Sequence, residues 1–286
     1  MSASQPEISP DSSLASIPAP HAGAPAVAWR PDAALHLLAM DTSTSEMSVA
    51  AGRWPAGAAA QGAAPQQRDY TGAGAAQSSA TLIPTVQRLL DEAGLGLAQL
   101  DAIVFGAGPG SFTGLRTACA VAQGLALGAE RQVLPMDTLL AVAEDWRSRQ
   151  PALERGTLVW ALLDARMDEI YVAGCRWQPR GGMPAWELAQ PAVLARPEDL
   201  LQVPGLTPDA VCAGNVQPVY GERLPVTVAA AMPSASAMLR LAPALLQDGA
   251  AIDPALALPR YVRDKVAQTT EEREQAKLQA AQARQP

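Results

Sequence analysis

Short apolar blocks alternate along this chain with longer stretches of helical periodicity. Residues 35–41, Leu-His-Leu-Leu-Ala-Met-Asp, read as a buried strand that ends in an acid. Residues 42–45 read as a turn and 46–52 as a second strand. Over 79–93 the apolar positions Leu82, Val86, Leu89, Leu90 and Ala93 share one helical face, and Gly94 is placed to cap it. Pro84 suits a first turn, which lets the start of that helix slip. Ile103-Val104-Phe105 is a buried strand, followed by a glycine-rich turn and a helix over about 113–128. Residues 132–136 then read as a strand and 137–149 as a helix. Strands alternating with helices predict an α/β layered fold.

A second unit opens near Gly156 in the same way. Residues 157–163 form a strand ending in Asp164, 165–168 a turn, and 169–174 a returning strand. Asp41 precedes Glu46, Val49 and Ala50; Asp164 precedes Glu169, Val172 and Ala173, at a constant offset of 123 positions. The repeat points to an internal duplication, with halves at 34–150 and 151–268. The remainder predicts a helix near 197–202, a strand at 209–213 closing in Gly214-Asn215, a helix at 234–247 and a polar tail at 269–286. Residues 1–33, rich in Ser, Pro and Ala, read as a disordered leader, and 53–77 as a long loop.

The helix over 113–128 is unusual. From Leu115 onward its only polar side chains are Arg116, Thr117 and Gln123. A helix apolar all round needs cover all round, so one face belongs to its own sheet and the other to a second cover. Ala118, Ala120, Ala122, Gly124 and Ala126 would let another helix come close.

Composition narrows the chemistry. A chain of 286 residues holds one large domain or two smaller ones, and a net charge of −7 argues against a broad nucleic-acid face. Cys119, Cys175 and Cys212 lack ligand spacing, which suits a reducing cytoplasm without disulfides. Only His21 and His36 occur, which speaks against a histidine-built metal site. No apolar run is long enough to span a bilayer, and no basic segment precedes an apolar one at the N-terminus.

The glycine-rich turn is the main candidate for binding chemistry. Gly106, Gly108, Gly110 and Gly114 permit close backbone approach, Pro109 stiffens the turn, and Ser111 or Thr113 can cap the helix. Such a helix start can hold an anion; the competing reading is a tight strand-to-helix connection with no ligand, which glycine count alone favours. Asp41 is open to two readings, a metal or phosphate residue or a turn acid. Asp164, Asp168 and Glu169 could meet a cation or form a solvated turn.

Three stretches carry a family resemblance. Leu38-Ala39-Met40-Asp41-Thr42-Ser43-Thr44, the run from Gly106 to Arg116 with Ala122-Gln123-Gly124-Leu125-Ala126, and Leu163-Asp164-Ala165-Arg166-Met167-Asp168-Glu169-Ile170-Tyr171 resemble bacterial TsaB, also called YeaZ. The closing Tyr261-Val262-Arg263 and Val266-Ala267 are similar too, so the resemblance covers about 35–268. It implies an actin/hexokinase-like (ASKHA) fold of two duplicated α/β halves. It implies a non-catalytic dimerisation subunit that supports TsaD in threonylcarbamoyl transfer to N6 of adenosine 37 in ANN-decoding tRNAs. TsaE would join the complex, and TsaC would supply the threonylcarbamoyl-adenylate. tRNA would be met only through the complex, the free chain could form a homodimer, and ATP or ADP would act at the level of the complex.

Departures from related enzymes fit that implication. The metal-binding histidine pair of TsaD falls near Thr138 and Val142, and Ser43 stands where ATPases of this fold carry glycine. Ser78 stands where family members often have histidine. By resemblance, Asp41, Thr42, Gly108, Pro109, Gly110, Ser111, Thr113 and Gly114 form a vestigial nucleotide or anion loop. The partner interface is expected at Leu82, Val86, Leu89, Leu90, Arg116, Ala120 and Gln123, burying roughly 1,600 Å². A charge at Val86 is expected to abolish pairing and leave the monomer folded. Two other readings remain, an independently active ATP-dependent phosphotransferase of the same fold and a glycoprotease-like peptidase.

Overall fold

The computed structural model describes residues 29–74, 78–150 and 152–263. The expected leader up to residue 28 and the expected polar tail lie outside the described residues. Trp29, placed in the leader by the sequence, instead packs into the core.

Two mixed five-stranded sheets organise the chain. The first contains β1 (Leu35–Asp41), β2 (Glu46–Trp54), β3 (Gln66–Ala73), β4 (Ala102–Gly108) and β5 (Gln132–Asp137), in the order β3-β2-β1-β4-β5. The second contains β6 (Leu158–Arg166), β7 (Glu169–Trp177), β8 (Trp186–Ala195), β9 (Cys212–Gly214) and β10 (Val228–Ala230), in the order β10-β9-β6-β7-β8. Each sheet begins with an antiparallel meander and adds two parallel strands on the other side of its first strand. The duplication read from the Asp–Glu spacing is therefore a duplication of topology, as in the ASKHA architecture.

The central strands are apolar on both faces because both faces are covered. Alternating side chains of β1 and β4 divide between two cores. Leu38, Met40, Ile103 and Phe105 point to the outer core beneath α1 (Ser78–Ala93) and α2 (Phe112–Ala129). Leu37, Ala39 and Val104 point to an inner core shared with the second half.

Two helices build that inner core by crossing over. α3 (Thr138–Arg147) follows the first sheet in sequence but packs chiefly on β6, β7, β8 and β9. After the short α4 (Gln217–Tyr220), α5 (Ala235–Gln247) follows the second sheet but packs on β1, β2 and β4. Fully buried Glu144 of α3 ties the layers together. It accepts hydrogen bonds from Arg147 Nε at 2.7 Å, Arg240 Nε of α5 at 2.8 Å and Trp186 Nε1 of β8 at 3.2 Å.

Beyond α5 the chain returns as a strap. Ile252 pairs with Val133 at the open edge of β5. Gln123 Nε2 of α2 donates to the carbonyls of Pro254 and Ala257 at 2.9 and 3.2 Å. Arg260 N donates to Ala107 O at 2.6 Å, and the Arg263 guanidinium reaches Glu169 in the second half.

Several elements differ from the sequence expectation. The loop expected at 53–77 contains the end of β2 and all of β3, which pairs with β2 from Glu46↔Ala73 to Arg53↔Gln66. β3 is an edge strand with mostly exposed side chains, so it lacks the apolar alternation that marks a half-buried strand. β8 is a further strand that the sequence pattern does not mark; Pro191 lies within it where the pairing with β7 slips, a placement edge strands tolerate. Residues 197–202 form a 3-10 turn. Pro84 lies in the second turn of α1, because the helix starts at Ser78. Cys119, Cys175 and Cys212 are buried free thiols. Among the described residues no helix is long and apolar enough to cross a membrane.

Candidate functional site

The C-terminal ends of β1 and β4 place the hairpin Asp41–Glu46 against the glycine-rich turn. Added β-carbons locate the reason for each glycine. At Gly106 a Cβ would stand 1.9 Å from Asp41 Oδ2, at Gly110 2.6 Å from Ser43 Cβ, and at Gly114 1.8 Å from Thr42 O. At Gly108, where φ is +120°, it would stand 2.4 Å from Arg260 O of the strap. Hydrogen bonds lock the same contacts. Thr42 Oγ1 donates to Gly114 O at 2.6 Å, and Ser111 N donates to Ser43 O at 2.7 Å. Ser111, and not Thr113, caps α2 by accepting from Gly114 N. Pro109 follows a cis peptide bond and its carbonyl accepts from Thr138 Oγ1. The glycine-rich turn seats the first hairpin and the strap.

Asp41 is turned into that seat. Its Oδ1 accepts from Ser43 N at 3.0 Å and Ser43 Oγ at 2.8 Å, while Oδ2 lies buried over Gly106 without a hydrogen-bond partner. Burial pushes its pKa up to about 7, against the smaller opposing effect of the Ser43 hydrogen bonds.

A cleft of about 580 Å³ opens beside the seat. The first hairpin and the α2 start form one wall, the β6–β7 hairpin and Asn215 the other, and strap residues Arg260–Arg263 line its mouth. Arg166, Met167 and Asp168 all have positive φ, so the second hairpin carries a left-handed turn. Side chains clamp it. Arg223 holds Asp168 at 2.6 and 2.8 Å, Tyr220 OH donates to Asp164 at 2.8 Å, and Arg263 pairs with Glu169. The acids read as a cluster are thus paired within the chain. The Arg223 hydrogen bond holds the Asp168 carboxyl below its usual range.

The expected interface residues separate into two groups. Leu82, Val86, Leu89 and Leu90 are buried beneath α1 against this chain's own sheet, so they are not available to a partner. A charge at Val86 would enter the core and unfold it. Gln123 is half-buried and committed to the strap. Arg116 and Ala120 are exposed. With Gly124, Leu127 and Gly128 they form an outward row on α2, and an added Cβ at Gly124 or Gly128 would meet nothing within 4 Å. Leu127 is 60% exposed, and Ile83 of α1 is 43% exposed. Sequence periodicity missed both: Ile83 sits off the apolar stripe of α1, and Leu127 was one apolar position among many. Thr138 and Val142, where a metal-binding histidine pair would fall, are both buried.

The family model for TsaD, tRNA N6-adenosine threonylcarbamoyltransferase, matches residues 73–182. The tRNA threonylcarbamoyladenosine biosynthesis protein TsaB of Escherichia coli (strain K12) is 30% identical over 241 residues, spanning 82% of this chain and 96% of that protein. Its Haemophilus influenzae counterpart is 40% identical over 137 residues, spanning 48% of this chain and 52% of that protein. YeaZ from Pseudomonas aeruginosa superposes with a TM-score of 0.65 at 34% identity, covering 79% of this chain and 99% of that one. A second structure, of an uncharacterized protein with similarity to peptidase YEAZ from Pseudomonas aeruginosa, gives 0.66 at 34% identity over 80% of this chain.

Proposed function

The chain belongs to the TsaB (YeaZ) family, and on that premise we propose that it acts in tRNA threonylcarbamoyladenosine biosynthesis as a non-catalytic partner of TsaD. The observation that carries this reading is the uncovered outward row of α2. Ala120, Gly124 and Gly128 leave room for a second helix, and Leu127 on the same row is an exposed apolar side chain. Asp41 supports the non-catalytic part, because its carboxyl is buried against Gly106 and bonded to Ser43. In this reading TsaE joins the pair in the cytoplasm, and tRNA and nucleotide are engaged by the complex.

Co-expression with TsaD from the same organism, followed by size exclusion with light scattering, tests the proposal. The expected result is a one-to-one complex that Leu127→Glu abolishes at unchanged melting temperature. Failure of the wild-type chain to pair, or pairing by Leu127→Glu at wild-type strength, would overturn it.

The cleft favours one second reading, an ATP-dependent phosphotransferase. Calorimetry with Mg-ATP and an assay of hydrolysis by the isolated chain decide it; tight binding with turnover would replace the partner role. A peptidase has less support, since His36 sits at the far end of β1 from the hairpin, its Nδ1 3.2 Å from Gln99 O.

A further inference from the structure

We propose that Arg116 is the charged anchor of the α2 face and binds a carboxylate of TsaD; the inference rests on the partnership proposed above. The Arg116 guanidinium carbon lies 3.8 Å from the centroid of the Phe112 ring. Its Nε donates to Tyr261 OH at 3.1 Å, and the Phe112 and Tyr261 rings stand 5.2 Å apart. Phe112 opens α2 and Tyr261 comes from the strap, so two distant segments hold one side chain in place. Among the described residues Arg116 makes no ion pair, and its two Nη groups have no hydrogen-bond partner.

The surroundings select the ligand. Arg116 is the only charged residue of α2, and the strap from Ile252 to Arg263 carries Asp253, Arg260 and Arg263. Among the described residues no acid of either element pairs with Arg116, although the whole chain carries −7. A guanidinium with both Nη groups free presents a planar fork that matches a carboxylate, and a side chain already stacked loses little freedom on binding. RNA backbones are met by clusters of cations that neutralise successive phosphates. Arg116 instead begins a row of small and apolar positions ending at Leu127 and Gly128. That pattern fits a partner helix with an apolar face and one acid aligned with Arg116.

The test is calorimetric titration of the full chain with TsaD from the same organism at low and high salt. Arg116→Gln is expected to weaken binding about tenfold or more and to flatten its salt dependence, with the melting temperature unchanged. Tyr261→Phe keeps the ring, frees Nε, and is expected to give a smaller loss. Arg116→Lys restores the salt dependence but only part of the affinity, because the fork is gone. Wild-type affinity in Arg116→Gln overturns the anchor alone. A loss that leaves the salt dependence unchanged also overturns it, because the role is then structural. Normal pairing with weakened binding of an ANN-decoding tRNA transcript assigns Arg116 to phosphate and overturns the carboxylate. No binding by the wild-type chain overturns the partnership reading, and the anchor falls with it.

Discussion

Burial pushes the Asp41 carboxyl up to about 7, since it is withdrawn from water and, among the described residues, no basic side chain pairs with it. The unfolded chain releases this proton near 3.8 and the folded chain near 7. Between those values the folded state binds more protons, so stability falls as pH rises through the window and levels off above it. Asp41→Asn removes the titration. Its stability relative to the wild type should rise by up to about 4 kcal/mol between pH 4 and pH 7. Urea unfolding at stepped pH checks this; a constant difference across the window would mean that the carboxyl is solvated or paired. The sequence located Asp41 at a strand end but not the direction of its carboxyl. The local signal was Ser43 two residues on, whose amide and hydroxyl close an Asx-type turn. Arg116 was legible as an exposed charge on an apolar helix, but Tyr261, which fixes it, lies 145 residues away.

At the level of elements, the glycine-rich turn was legible as strand, turn and helix start, yet the purpose of its glycines was not. Gly114 meets Thr42, a residue 72 positions earlier, and no local pattern reports that contact. Two alanine substitutions in α2 separate packing from helix propensity. Gly124→Ala adds a methyl to open space and should stabilise by about 0.5–1 kcal/mol, the ordinary helical preference. Gly114→Ala drives a methyl into Thr42 O and should destabilise by about 1–3 kcal/mol, lifting the hairpin from its seat. Thermal unfolding of both variants checks the opposite signs; equal shifts would remove the packing account. The stripe of α1 shows a related limit. Periodicity found Leu82, Val86, Leu89 and Leu90, but period alone does not say whose core receives them. β3 escaped notice for the reverse reason, since an exposed edge strand has no face to alternate.

At the scale of the molecule, the duplication was visible in the spacing of two acids, while the exchange of helices between halves was not. α3 and α5 look like ordinary amphipathic helices, and each is taken by the other half's sheet. Glu144 marks the crossing. Glu144→Gln leaves Arg147 and Arg240 without their carboxylate and should cost about 3–5 kcal/mol. Both halves should then unfold in one transition, followed by hydrogen exchange of the strand amides in each sheet; two separated transitions would show independent halves. The crossing also sets an order of events during synthesis. Chains leave the ribosome at roughly 5–20 residues per second. The first sheet is complete at Asp137, but its inner face waits for α5 at Ala235–Gln247, and its open edge waits for Ile252. For several seconds the nascent chain carries the inner face of Leu37, Ala39 and Val104 without α5 to cover it, a window in which exposed apolar surface favours association with other chains.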